Sequence, residues 1–273
     1  MTEHPAKSWR LIDTGSLPGP VNMAIDEALL RFFDPTTSSP ILRLYGWSPP
    51  ALSLGRFQNA AQVLNLERCQ EDGVAVVRRI TGGGVIYHAD ELTYSIVCAP
   101  GQIPPTVSVK DSFRVLTGFL LAFYCRLGLN AAYALDAAPK GARLGERTAF
   151  CFAGKESFDI LANGCKIGGN AQRRMKGLIF QHGSIPLVNR AHAGLGYMRE
   201  QEAELAHGAT ALADCGIAAG PGSLRQDLIS AFSDCFTVKL CEDQLSAHEQ
   251  ACAEQLSRMK YASDTWNLEG VGE

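Results

Sequence analysis

The densest chemistry in the chain lies between Arg78 and His88, which read R-R-I-T-G-G-G-V-I-Y-H. Gly82, Gly83 and Gly84 follow an apolar run, Val74 to Val77, and precede another built on Leu92, Tyr94 and Ile96. Glycines between two strands put no Cβ in the way and tolerate φ > 0, so the backbone can pass very close to a ligand. Arg78 and Arg79 on the entry side, Thr81 in the loop and His88 on the exit side surround that opening with charge and a titratable ring. The arrangement suits a narrow slot for an extended, phosphate-bearing or acyl-bearing small molecule. A glycine-rich turn without a ligand is the plainer alternative.

A second constellation spans Cys151 to Arg174, C-F-A-G-K-E-S-F-D-I-L-A-N-G-C-K-I-G-G-N-A-Q-R-R. Asn163-Gly164 is the strongest short hairpin signal available. A two-residue turn there sets Ala162 opposite Cys165, Leu161 opposite Lys166 and Ile160 opposite Ile167. Alternation then gives Ile160, Ala162, Cys165 and Ile167 one face and Lys166 the other. A lysine among apolar and glycine residues can polarise a carbonyl, contact a phosphate or lower the pKa of a nearby thiol. The bland reading is an outward, solvated hairpin lysine. Lys155 is the weaker rival, in a loop beside Glu156 and Ser157.

Other residues divide between structure and function. His182, in Q-H-G-S, reads first as a strand-end residue bonding the backbone and second as a lining residue. For His88 the lining and core readings are even. Arg78 and Arg79, with Arg173, Arg174 and Lys176, form two local basic groups that steer an acidic partner, contact phosphate, or merely solvate strand ends. Asp26, on the first helix, is given packing or capping and no chemistry. No two of the nine cysteines are spaced C-x-x-C, so zinc spacing is absent. Disulfides are not expected in a chain of this size and compartment, and most of the thiols should be small buried hydrophobes.

Positioning these groups takes an α+β fold. The chain has 273 residues, 46% hydrophobic and 19% charged, with a formal net charge of -3. It is long enough for a sizeable core and has no basic footprint for nucleic acid. It lacks a signal-peptide pattern and a transmembrane-length apolar run, which implies no membrane and a cytoplasmic location. Strands are expected at Trp9 to Ile12, Ile41 to Tyr45, Ala51 to Leu54, Ser157 to Ala162, Cys165 to Gly168 and Leu178 to His182. Helices are expected at Asn22 to Phe33, Ala60 to Gln70 and Val109 to Leu127. From about 191 the pattern reads as helical, with Tyr197 to His207, Ser223 to Phe236 and Gln244 to Tyr261. The simplest organisation is one catalytic domain over 9–273, with a core over 9–190, helical packing over about 191–262 and a flexible tail over 1–8.

The segments N-M-A-I-D-E-A-L-L (22–30), L-S-L-G-R-F-Q (52–58), R-R-I-T-G-G-G-V-I-Y-H (78–88), E-L-T-Y-S (91–95), K-I-G-G-N-A-Q (166–172) and Q-H-G-S-I-P-L (181–187) resemble, in that order, those of lipoate-protein ligases and octanoyltransferases. The resemblance to this biotin/lipoate ligase superfamily covers roughly residues 9 to 190. It implies a mixed β-sheet flanked by helices, with an acyl chain in a tunnel. Arg78, Arg79, Thr81, Gly82, Gly83, Gly84, His88, Gly168, Ala171 and His182 would bind substrate, and Lys166 would sit beside the acyl carbonyl.

Two activities share that scaffold. An ATP-dependent ligase, using ATP and Mg, adenylates lipoate and passes it to a lysine of a lipoyl domain. An octanoyltransferase instead moves octanoyl from acyl carrier protein to that lysine through a cysteine thioester, with no cofactor of its own. C-F-A-G-K-E-S-F-D-I (151–160) is similar to the nucleophile context of the second group, which implies catalytic roles for Cys151 and Lys166. E-L-T-Y-S is also more like the transferases, and the length leaves little room for a ligase accessory domain. The T-G-G-G loop, by contrast, is as in ligases. The partners implied are octanoyl-acyl carrier protein and lipoyl domains or the glycine-cleavage H protein. A non-catalytic acyl binder would need neither Cys151 nor Lys166. The biotin-ligase loop, a Walker A loop, H-E-x-x-H and a dinucleotide fingerprint are all absent.

Overall fold

In the computed structural model, residues 7–137, 156–175, 177–200 and 208–271 are described. The strands in chain order are β1 (Lys7–Leu17), β2 (Ile41–Trp47), β3 (Ala51–Leu54), β4 (Ala75–Arg78), β5 (Ile86–His88), β6 (Glu91–Cys98), β7 (Ala131–Tyr133), β8 (Ile160–Ala162), β9 (Cys165–Ile167), β10 (Gly169–Met175), β11 (Leu178–Pro186), β12 (Ala209–Thr210) and β13 (Val238–Glu242). A mixed six-stranded sheet has the order β10-β11-β6-β2-β1-β13. Two smaller sheets have the orders β12-β9-β8-β7 and β4-β3-β5.

Both faces of the large sheet are covered, so its central strands bury residues of either parity. All of β2 is buried. Leu42 and Leu44 pack with Trp9, Tyr94, Ile96 and the helices Val109–Arg126 and Pro221–Phe236. Ile41, Tyr45 and Trp47 face the other way, against the helix Gly19–Phe32 and, beyond it, Ala253, Leu256 and Trp266. This is why these strands read as continuous apolar runs rather than clean alternations.

The Asn163-Gly164 hairpin forms in the expected register, with Leu161 opposite Lys166 and Ala162 opposite Cys165. Both turn residues have positive φ, 51° and 80°, as a type I′ turn requires. Lys166 is buried, so of its two readings the solvated one does not hold.

Several elements depart from the sequence expectation. The helix expected over Ala60 to Gln70 is two short helices, Ala60–Val63 and Leu66–Glu71, because Asn65 stops the run and caps the second at the Arg68 amide. The helical reading from 191 onward is interrupted. After the short helix Ala191–Leu195, residues 197–200 form turns and a bridge from Met198 to Leu64, and the rest of the expected Tyr197–His207 helix lies outside the described residues. The last third also contributes a strand, β13, which pairs parallel with β1 and matches Leu240 to Trp9. Of the eight described cysteines only Cys69 and Cys98 are buried, because Cys125 and Cys235 fall on exposed helix positions; none of the eight is in a disulfide.

Candidate active site

The glycine loop is built from inside by Arg79. Leaving β4, its guanidinium donates to the carbonyls of Ser53 (2.9 Å), Gly82 (2.8 Å) and Gly84 (2.7 Å), and to Ser53 Oγ (3.1 Å). Gly83 adopts φ +95°, and a Cβ there would stand 2.9 Å from Arg79 Nη2. From the other side a Cβ on Gly55 would lie 2.0 Å from the Gly83 carbonyl oxygen, so the G-R-F-Q segment and the loop touch backbone to backbone.

Arg78 turns the opposite way. It is 1% exposed and donates to the carbonyls of Gly55, Arg56, Gln58, Trp266 and Leu268, while its own carbonyl accepts from Trp266 Nε1. It is not a solvated strand-end charge: it ties the C-terminal helix Asp264–Asn267 to the loop beside the cleft. Arg78 and Arg79 are both buried, so neither belongs to a surface basic group.

Beneath the loop lies a cleft walled by β3, β5, β10 and β11, with Ser53, Arg79, Gly83, His88, Ala171 and His182 among its lining residues. Two hydroxyl–imidazole–carboxylate strings meet there. His182 Nε2 is 2.7 Å from Thr81 Oγ1, and its Nδ1 lies 3.7 Å from Asp26 Oδ2. His88 Nε2 is 2.7 Å from Ser53 Oγ, and its Nδ1 is 2.7 Å from Glu91 Oε1. Burial, aided by the charges of Arg79 and His88, holds the His182 imidazole below the usual histidine value, although Asp26 pulls it up.

Asp26, given no chemistry by its sequence context, is the buried anchor of the first string. Its carboxylate accepts from Arg43 Nη1 (2.8 Å), Ser95 Oγ (2.7 Å) and Tyr45 OH (2.9 Å). Burial pushes its carboxyl up, but Arg43, His182 and Ser95 outweigh that and hold it below the usual aspartate value. The signal available was a charge, Arg43, inside the apolar strand β2.

Lys166 belongs to the neighbouring small sheet, and it is not among the described lining of the cleft. It is buried, with Nζ 2.7 Å from Asp159 Oδ2. Gly168, at φ +85°, turns the chain from β9 into β10, and a Cβ there would meet the Ser184 carbonyl oxygen at 2.1 Å. That turn brings Ala171 to the cleft wall a few residues after Lys166. Cys151, Lys155 and Lys176 lie outside the described residues. Among the described residues no group of three or more His, Cys, Asp or Glu could hold a metal ion, and no helix is long and apolar enough to cross a membrane.

A glycine loop clamped from beneath thus overhangs a cleft in a mixed sheet flanked by helices. Residues 18–220 match the lipoyl protein ligase A/B catalytic domain, and the chain belongs to that family. It is 34% identical to the octanoyltransferase LipM of Symbiobacterium thermophilum, over 96% of this chain and 98% of that protein. It is 33% identical to the octanoyltransferase LipM of Geobacillus kaustophilus, over 95% and 98% respectively. Among solved structures, lipoate-protein ligase A bound with ATP superimposes with a TM-score of 0.82 at 25% identity, over 97% of this chain and all of the other.

Proposed function

We propose that this protein is an octanoyltransferase of lipoate biosynthesis. It takes an octanoyl group from acyl carrier protein and delivers it to a lysine of a lipoyl domain or of the glycine-cleavage H protein. One observation carries the choice of reaction: the likeness to octanoyltransferases extends over nearly the whole of both chains. The fold and cleft alone fit ligation equally well.

The chemistry follows from the residues. The Cys151 thiolate attacks the octanoyl thioester carbonyl, and the phosphopantetheine thiol leaves. The acceptor amine then attacks the enzyme thioester, and the product is an amide. Exchange between thioesters is nearly isoenergetic and amide formation is downhill, so the cycle needs neither ATP nor a metal. Lys166, buried and fixed at Asp159, supplies positive charge for the carbonyl oxygen as it becomes an oxyanion. Arg79, Gly83, His88, Ala171 and His182 line the slot for the acyl chain, and Thr81 holds His182. Arg78 is left as support for the loop.

The test is transfer from octanoyl-acyl carrier protein to a lipoyl domain with no ATP present. Stoichiometric octanoylation is expected. An acceptor modified only when ATP and free lipoate are supplied, with lipoyl-AMP formed on the way, would make the protein a ligase.

A further inference from the structure

The thioester route leaves one requirement unmet. A lysine has a pKa of about 10.4, so at neutral pH only about one acceptor side chain in a few thousand is a free amine. After attack the nitrogen must also lose a proton before the amide can form. Cys151, once acylated, cannot act as the base, and the Lys166 ammonium is already ion-paired with Asp159.

We propose that Ser53, His88 and Glu91 form a proton relay that deprotonates the acceptor lysine in the second half of the reaction. This deepens the transferase reading and rests on it. Glu91, with its side chain 3% exposed, accepts from His88 Nδ1 (2.7 Å) and Thr93 Oγ1 (2.5 Å) on one oxygen and from Ser184 Oγ (2.7 Å) on the other. Every donor it meets therefore fixes its position. The His88 ring lies flat on Trp47, with centroids 3.8 Å apart and planes 9° apart. A ring nitrogen facing a carboxylate carries the hydrogen, so Nδ1 is the donor, which in the neutral ring leaves Nε2 as the acceptor. Nε2 takes the Ser53 hydroxyl proton at 2.7 Å, while Arg79 Nη1 donates to the same oxygen at 3.1 Å.

Hydroxyl, base and orienting carboxylate thus stand in the order that activates a hydroxyl, on the wall of the cleft. A core histidine needs only satisfied nitrogens. This one is also clamped on its face, and its acidic partner is clamped in turn. Arg79, which donates to the same Ser53 hydroxyl, and His182 are charged or titratable neighbours of the ring among the described residues.

The step balances. The acceptor ammonium first gives one proton to water; the free amine nitrogen then bonds to the carbonyl carbon, and a second N–H proton passes to Ser53 Oγ as the Ser53 proton passes to His88 Nε2. The C–S bond then breaks, its electron pair leaving with Cys151, and the imidazolium returns the proton to that thiolate. His88 and Ser53 handle the reacting proton; Glu91 is a positioning residue.

Single-turnover kinetics on the full chain separate the half-reactions: loading from octanoyl-acyl carrier protein, then discharge to a lipoyl domain, each followed by intact mass. In Ser53→Ala, His88→Ala and Glu91→Gln discharge should fall far more than loading, each variant being compared with its own loading rate. Discharge should slow about 100-fold in His88→Ala, which general-base loss commonly costs, and less in Glu91→Gln. Added imidazole should restore part of the His88→Ala discharge, and Glu91→Asp should outperform Glu91→Gln; a structural role moves neither readout. Wild-type melting of the Ser53→Ala variant keeps the comparison meaningful if His88→Ala is unstable. Discharge at the wild-type rate in all the variants would overturn the relay and leave the transferase intact, as would loading and discharge falling together. An octanoyl ester mapped to Ser53 would make that residue the nucleophile instead. Failure of the wild type to load at all without ATP would sink the transferase reading, and the relay with it.

Discussion

Replacing Asp26 by Asn tests whether the cleft floor is held by a buried charge pair. The Asp26 and Arg43 side chains are 2% and 0% exposed and meet at 2.8 Å. Arg43 also donates to Asn22 and Thr14 and lies 3.9 Å from the Tyr45 ring centroid, but none of these partners is anionic. The substituted amide would keep the shape and one acceptor. It would leave the guanidinium buried without a counter-charge and turn an N–H₂ toward Tyr45 OH or His182. Breaking a buried pair in this way costs about 3–5 kcal/mol, which for a chain of this size lowers Tm by roughly 10 °C. The folded-state pKa of Asp26 lies below the ordinary 3.8, so its contribution is complete above that value and is lost as pH falls through the folded pKa. Chemical denaturation followed by circular dichroism should therefore show the full gap between wild type and Asp26→Asn at neutral pH, narrowing only in acid. A loss below about 1 kcal/mol, or a gap that stays constant into strong acid, would refute the reasoning.

Gly55→Ala drives a methyl into the Gly83 carbonyl oxygen, 2.0 Å from the new Cβ, so the glycine loop must shift. A displacement of about 1 Å is worth roughly a 100-fold loss of transfer rate, measured by octanoylation of a lipoyl domain. Arg78→Met leaves five carbonyls without their donor, and hydrogen exchange should show residues 264–271 losing protection before the sheet does. Iodoacetamide near neutral pH should label Cys151 ahead of Cys98, whose thiol burial pushes up to about 12; equal labelling would contradict a thiolate at Cys151.

The parts of this protein that were legible in its sequence are those set by local chemistry. Asn163-Gly164 dictates a turn with both residues at positive φ, and its register carries Lys166 to a definite place. The triple glycine announces a close backbone approach, and at Gly83 the φ of +95° and the Arg79 guanidinium 2.9 Å from a would-be Cβ require it. What was not legible depends on partners far apart in the chain. His88 and Glu91 are three residues apart, but Ser53 reaches them from another strand 35 residues earlier, and nothing near it reveals them. Arg78 and Arg79 look alike as letters, yet consecutive residues of a strand point to opposite sides, so one clamps the loop and the other anchors the C-terminus. The strand β13 was hidden because an edge strand such as Val238–Glu242 is short and half exposed. Asp26 was passed over because a charge on a helix is ordinarily solvated; here the paired charge waits in β2.

The central claim, acyl transfer through an enzyme thioester, is tested most directly by intact mass after mixing the protein with octanoyl-acyl carrier protein in the absence of ATP. One octanoyl adduct on the wild type, absent in Cys151→Ala, is the predicted result. No adduct, or an adduct that persists in Cys151→Ala, would contradict it.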